Sequence, residues 1–116
     1  MLFRSFRSAL EAAVRPGSVV AVISRGDDAL LPVDGATGWH FPRSANGVWA
    51  GAHPQDGEDA VRQLSALRAA GARYLAIPET SLWWLTHYES FRTHLDAHHR
   101  AVLRDAETGI IYELAP

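Results

Sequence analysis

Histidine, tryptophan, arginine and aspartate crowd a few short phrases of this 116-residue chain, and those side chains hold and transform polar ligands. Ser24-Arg25-Gly26-Asp27-Asp28 offers a guanidinium able to grip carboxylate or phosphate and two carboxylates able to act as a base or bind hydroxyls. Its glycine can turn backbone N–H groups toward an anion. Trp39-His40-Phe41-Pro42-Arg43 and Gly51-Ala52-His53-Pro54 combine imidazoles, which titrate near neutrality, with flat faces on which a sugar ring or a base stacks. Glu79-Thr80, the adjacent Trp83 and Trp84, and His87 complete the set. Each group also has a plainer use: acids cap turns, aromatics plug a core, and histidines bond to backbone. His40, His53, Asp27 and Asp28 are the candidates for acid–base chemistry, but no recognised catalytic spacing joins them.

These phrases need a frame, and the stretch Arg73 to Leu85 supplies its middle. An apolar run rich in strand formers ends at Pro78, passes Glu79-Thr80-Ser81, and restarts as an aromatic helix, which is how a buried parallel strand hands over to its next helix. Upstream, Phe3, Phe6, Leu10, Ala13 and Val14 recur at helical spacing until Pro16-Gly17, and Ser18 to Ile23 is a β-branched run that reads as a strand buried on both faces. From Ala29 to Gly57 glycine and proline interrupt every pattern. Leu30 to Val33 could form a short extra strand, and the rest reads as an ordered loop whose aromatics fold over the rim of the sheet. A helix follows from Glu58 to a cap at Gly71, then the strand Tyr74 to Ile77, then a helix from Ser81 to about Ala97 broken near His87 to Glu89. Arg100 to Arg104 and Ile110 to Leu114 form a hairpin. The expectation is one domain over residues 1–116, a three-layer α/β/α Rossmann-like sandwich with a mainly parallel sheet and an antiparallel C-terminal edge hairpin. Ligands of such sheets collect at the carboxyl ends of the strands, which assigns Arg25, Asp27, Asp28, Trp39, His40, Arg43, His53, Glu79, Thr80, Trp83, Trp84 and His87 to one cleft.

Composition narrows the chemistry. A formal charge of -2 with no run of like charges argues against nucleic acid or anionic lipid as partner, and no apolar run approaches the length of a membrane span, so the cytoplasm is the default compartment. All basic residues are Arg, so there is no Schiff-base lysine and no P-loop lysine; with no Cys there is no disulfide, thiol nucleophile or cysteine zinc site. His94, His98, His99 and Asp96 suggest a metal, yet they lack the glutamate of a His-Glu-x-x-His site and a clear third ligand. No metal and no cofactor is expected.

Four phrases resemble a known group: residues 22–31 (Val-Ile-Ser-Arg-Gly-Asp-Asp-Ala-Leu-Leu), 38–43 (Gly-Trp-His-Phe-Pro-Arg), 51–54 (Gly-Ala-His-Pro) and 74–88 (Tyr-Leu-Ala-Ile-Pro-Glu-Thr-Ser-Leu-Trp-Trp-Leu-Thr-His-Tyr). They are similar to a small bacterial α/β domain associated with, or fused to, glycosyltransferases and methyltransferases of surface-polysaccharide assembly. The resemblance implies a glycan-related context rather than a particular reaction, a glycosyltransferase or methyltransferase as partner, and Arg25, Asp27, Asp28, His40, His53, Trp83, Trp84 and His87 as signature positions. Members of that group carry Lys where Arg25 stands. Three readings follow: a module that binds a sugar or nucleotide sugar, a small enzyme of sugar or acyl chemistry, and a docking domain for a partner or a second copy. The binding module leads, because the titratable groups form no catalytic constellation.

Overall fold

A computed structural model describes residues 6–24, 30–32, 35–42 and 54–114. Helix α1 (Phe6–Ala13) stops before Pro16-Gly17, and the β-branched run beyond it is strand β1 (Val19–Val22). After β2 (Thr37–His40), helix α2 (Gly57–Ala70) begins at Asp56, whose side chain accepts a hydrogen bond from the Asp59 N–H at 2.8 Å. That bond satisfies one of the orphan donors of the first turn, and Gly71 closes the other end by donating to Leu67 and Arg68. Strand β3 (Ala72–Pro78) runs into a single 3-10 turn (Glu79–Ser81), then α3 (Trp84–His87) and α4 (Glu89–His98). The break expected near His87 to Glu89 is real: Tyr88 leaves helical geometry, with ψ of 76°, and lies buried with its hydroxyl donating to the Pro54 carbonyl at 2.8 Å. Strands β4 (Arg100–Asp105) and β5 (Gly109–Glu113) form the C-terminal hairpin.

The strands lie in the order β2-β1-β3-β5-β4 in an open five-stranded sheet. β1 pairs in parallel with β2 and with β3, whereas β5 runs antiparallel to both β3 and β4. The sheet is therefore mixed and not mainly parallel. The reason is burial. The first four residues of β5 are buried, and the strand fits between β3 and β4 instead of trimming an edge, which makes half of the strand interfaces antiparallel.

Strand β2 corrects the reading of Ala29 to Gly57 as irregular chain. Thr37 to His40 pairs in register with Val19 to Val22, while Leu30 to Pro32, the described part of the possible extra strand Leu30 to Val33, is not a strand. Gly38 looked like loop punctuation, yet it sits where that segment crosses the sheet: a Cβ there would lie 2.7 Å from Pro32 Cδ and 2.9 Å from Leu31 Cβ. A residue without a side chain lets the backbone approach so closely.

Helices cover both faces. On one, α1 sets Leu10 on Val20, Val22, Tyr74, Ala76 and Ile111. On the other, α2 and α4 press Ala60, Leu64, Phe91 and Leu95 against Ala21, Ile23, Leu75, Ile77 and Tyr112. The alternation follows from the two-residue period of each strand, which sends neighbours to opposite layers. No helix among the described residues is long and apolar enough to cross a membrane.

Gly109 offers a sharp test of the β3–β5 junction. Its φ is +138°, and an added Cβ would stand 2.2 Å from the Ile77 carbonyl oxygen, a backbone atom that cannot swing aside. Gly109→Ala should cost about 2 to 4 kcal/mol from strain and overpacking together. Urea unfolding is expected to show a lowered midpoint with an unchanged slope.

Candidate functional site

Because β1 and β3 run side by side in parallel, with Val22 opposite Ala76 and the Ile23 N–H donating to the Ala76 carbonyl at 3.0 Å, their carboxyl ends emerge together. β2 brings His40 to the same rim, opposite Val22, and the Phe41 N–H donates to the Val22 carbonyl at 2.8 Å. There Ser24 Oγ and His40 Nδ1 share a hydrogen bond. Ser24 is 1% exposed and His40 half-buried, so one imidazole nitrogen is held from below. Ser81, also buried, ties the start of the next segment to this end of β1 by donating from its Oγ to the Ile23 carbonyl at 3.3 Å.

The aromatic residues divide between core and surface. Phe41, which a cis peptide bond joins to Pro42, is fully buried against Trp84 and Phe91, at centroid distances of 5.8 and 6.3 Å. Trp84 is likewise fully buried among Phe41, Tyr88 and Phe91, so it has no face left for a ligand and serves as the plug of this end of the core. Trp39 is half-buried and packs against the same cluster. One residue before Trp84 the helical turn of about 100° sends Trp83 outward. It is 40% exposed and meets His87 edge to face at 5.8 Å, with Tyr88 at 6.3 Å.

Between the start of α2 and the α3–α4 junction lies an open hollow of about 690 Å³, lined by Gln55, Asp56, His87, Tyr88, Glu89 and Ser90 among others. Asp59 stands behind it with its carboxyl held below the usual range, chiefly by the hydrogen bond from the Gln55 N–H. Burial pushes the Tyr88 phenol up, helped by Asp59 and Asp56, so the hydroxyl keeps its proton as a donor. Aromatic edges, amide and carboxylate groups around a shallow hollow suit a polar, ring-shaped ligand.

Of the residues assigned to the cleft from sequence, His40 ends β2, Trp83 and His87 meet on the segment that follows β3, and Trp84 is buried in the core. Glu79 and Thr80 are exposed at the end of β3, where the Glu79 N–H donates to the Thr108 carbonyl at 3.1 Å. Arg25, Asp27, Asp28, Arg43 and His53 lie outside the described residues, as does Trp49, an aromatic of the loop expected to fold over the rim. Ser24, Gln55 and Tyr88 went unremarked as site residues. Ser24 had a usable signal, since it is the first polar residue after the β1 run, whereas Gln55 and Tyr88 reach the rim only through the packing of α2 on α4. No family model, curated protein or solved structure matches the chain.

The C-terminal histidines sit elsewhere. His94 meets His98 and His99 at ring distances of 4.7 and 5.3 Å, and among the described residues no group of three or more His, Asp or Glu could hold a metal ion. Burial, then Arg68 and the neighbouring imidazoles, lowers His99 to about 4; burial, then His98 and Arg68, lowers His94. Both are thus neutral in the fold where the unfolded chain, with His near 6.5, begins to take up protons. Stability should therefore fall as pH drops from about 6.5 to about 4, because the unfolded state binds more protons there, and should not respond to these groups above that window. Chemical denaturation across pH is expected to show this decline, and a His94→Gln, His99→Gln double variant should flatten it.

Proposed function

We propose that the rim at the carboxyl ends of β1, β2 and β3 binds a sugar or the sugar end of a nucleotide sugar, in a module that serves glycan assembly beside a glycosyltransferase or methyltransferase. The observation that carries this reading is Trp83: among the described residues it is the one large apolar side chain left exposed, and its ring stands against His87, which lines the rim hollow. A tryptophan face stacks on the C–H surface of a sugar, while Gln55, Glu89 and Ser90 can meet hydroxyls; aromatic body and polar rim are what such ligands require. The Rossmann-like character expected of the parallel half belongs to this reading, since ligands of those folds gather at the same end of the strands. An isolated exposed tryptophan offers little to a flat docking interface, so this surface does not favour the docking reading.

A second reading rests on the Ser24–His40 pair: an enzyme in which His40 moves a proton and Ser24 helps to orient it. The burial of Ser24 suits an orienting hydroxyl better than an attacking one.

Thermal-shift measurements with monosaccharides and nucleotide sugars separate the two. A ligand held only by the folded chain raises the melting temperature, by about 2.7 kcal/mol of stabilisation at a hundred times its dissociation constant. Trp83→Ala and His87→Ala should abolish that shift while leaving the unliganded melting temperature within a few degrees. A shift that survives both variants would remove the rim site. Turnover of a bound sugar ester or glycoside that disappears in His40→Ala would select the enzyme.

A further inference from the structure

At the opposite end of the sheet, where β1 and β3 begin, a cleft of about 780 Å³ is lined by residues from five separate parts of the chain. Arg15 follows α1, Arg73 is the second residue of β3, His98 and His99 end α4, Arg100 opens β4, and Glu113 closes β5. The strand register converges them: Arg100 lies directly opposite Glu113, and Tyr74, the neighbour of Arg73, is Glu113's partner on the other side. We propose that this cleft is a binding site for a phosphate-bearing small molecule, separate from the rim site.

Charge carries the assignment. Three guanidiniums face one carboxylate here, an excess of two positive charges in a chain whose formal total is -2. Glu113 is shared, receiving Arg100 at 2.9 Å and Arg15 at 3.6 Å, so it holds both side chains over the cleft yet can neutralise only one charge. Arg73 is exposed and has no ion pair among the described residues. Guanidiniums approaching from several sides match the geometry of a phosphate, whose oxygens accept forked N–H pairs. The floor adds the half-buried Ser18 and the buried Tyr74, whose hydroxyl accepts from the Arg15 N–H at 3.2 Å. The volume, about 780 Å³, falls among those of small-molecule sites, about 300 to 1,000 Å³.

Calorimetric titration of the full chain at low salt, with inorganic pyrophosphate and adenosine diphosphate as probes, tests the site. Saturable one-to-one binding is expected, weakened about tenfold or more in Arg73→Ala, as befits loss of a charge-assisted contact. Glu113→Gln should tighten binding several-fold by removing the competing carboxylate, a gain that a merely structural role for Glu113 would not produce. Its ion pairs are on the surface, where such pairs contribute about 0 to 1 kcal/mol, so the fold should persist. Arg62→Ala, away from the cleft, should leave the affinity unchanged. Tighter binding of the nucleotide would identify a phosphorylated metabolite, and equal binding a free anion; both support the site. Absence of saturable heat, an equal loss in Arg62→Ala, or failure of Glu113→Gln to tighten binding would overturn it, as would binding of a single-stranded oligonucleotide without pyrophosphate.

Discussion

Strand β3 is hydrogen-bonded on both sides, to β1 in parallel and to β5 antiparallel, and apolar layers close over both of its faces. Nearly all of Ala72 to Pro78 is buried, and only Arg73, at the amino end, is exposed. Leaving any of its backbone groups unpaired in that position would cost about 1 to 3 kcal/mol each, so the neighbours on either side are fixed in register by the same requirement. Everything functional hangs from this. The parallel pairing with β1 aligns the carboxyl ends, and β1 in turn aligns β2, which delivers His40 beside Ser24.

The two ends of the sheet are chemically unlike. At the carboxyl rim, Phe41, Trp84 and Phe91 fill the end of the core, and their packing leaves Trp83, which caps α3, and His87, which ends it, at the surface. Truncating a core aromatic of this kind typically costs about 3 to 5 kcal/mol, so the plug also fixes the position of the site above it. At the amino end the core gives way to arginines, with Glu113 binding two of them into one cluster. The proposed sugar site would use the first surface and the proposed anion site the second.

Much of the frame was legible in the residues. β1 and β3 announce themselves as β-branched and apolar runs, and α2 by its acidic first turn and Gly71 cap. β2 was not legible. Its Gly38 resembles a turn signal, and its strand character comes from pairing with β1 and from the segment Leu30 to Pro32 that crosses it, neither of which is a local property. The same holds for the sites. Trp83 and His87 could be placed from helical spacing, but Ser24 and His40 are 16 residues apart and meet only through the β1–β2 register. Arg15, Arg73 and Arg100 are farther apart still, and their convergence is a consequence of topology.

The most direct test of a rim site is a backbone and indole NMR titration of the chain with a neutral monosaccharide series, which has no charge to draw it to the arginines. Saturable shifts centred on the Trp83 indole, His87, Tyr88 and the Ser24–His40 pair are the expected result. Shifts confined to residues around Arg73 and Glu113, or none that saturate with any sugar, would contradict it.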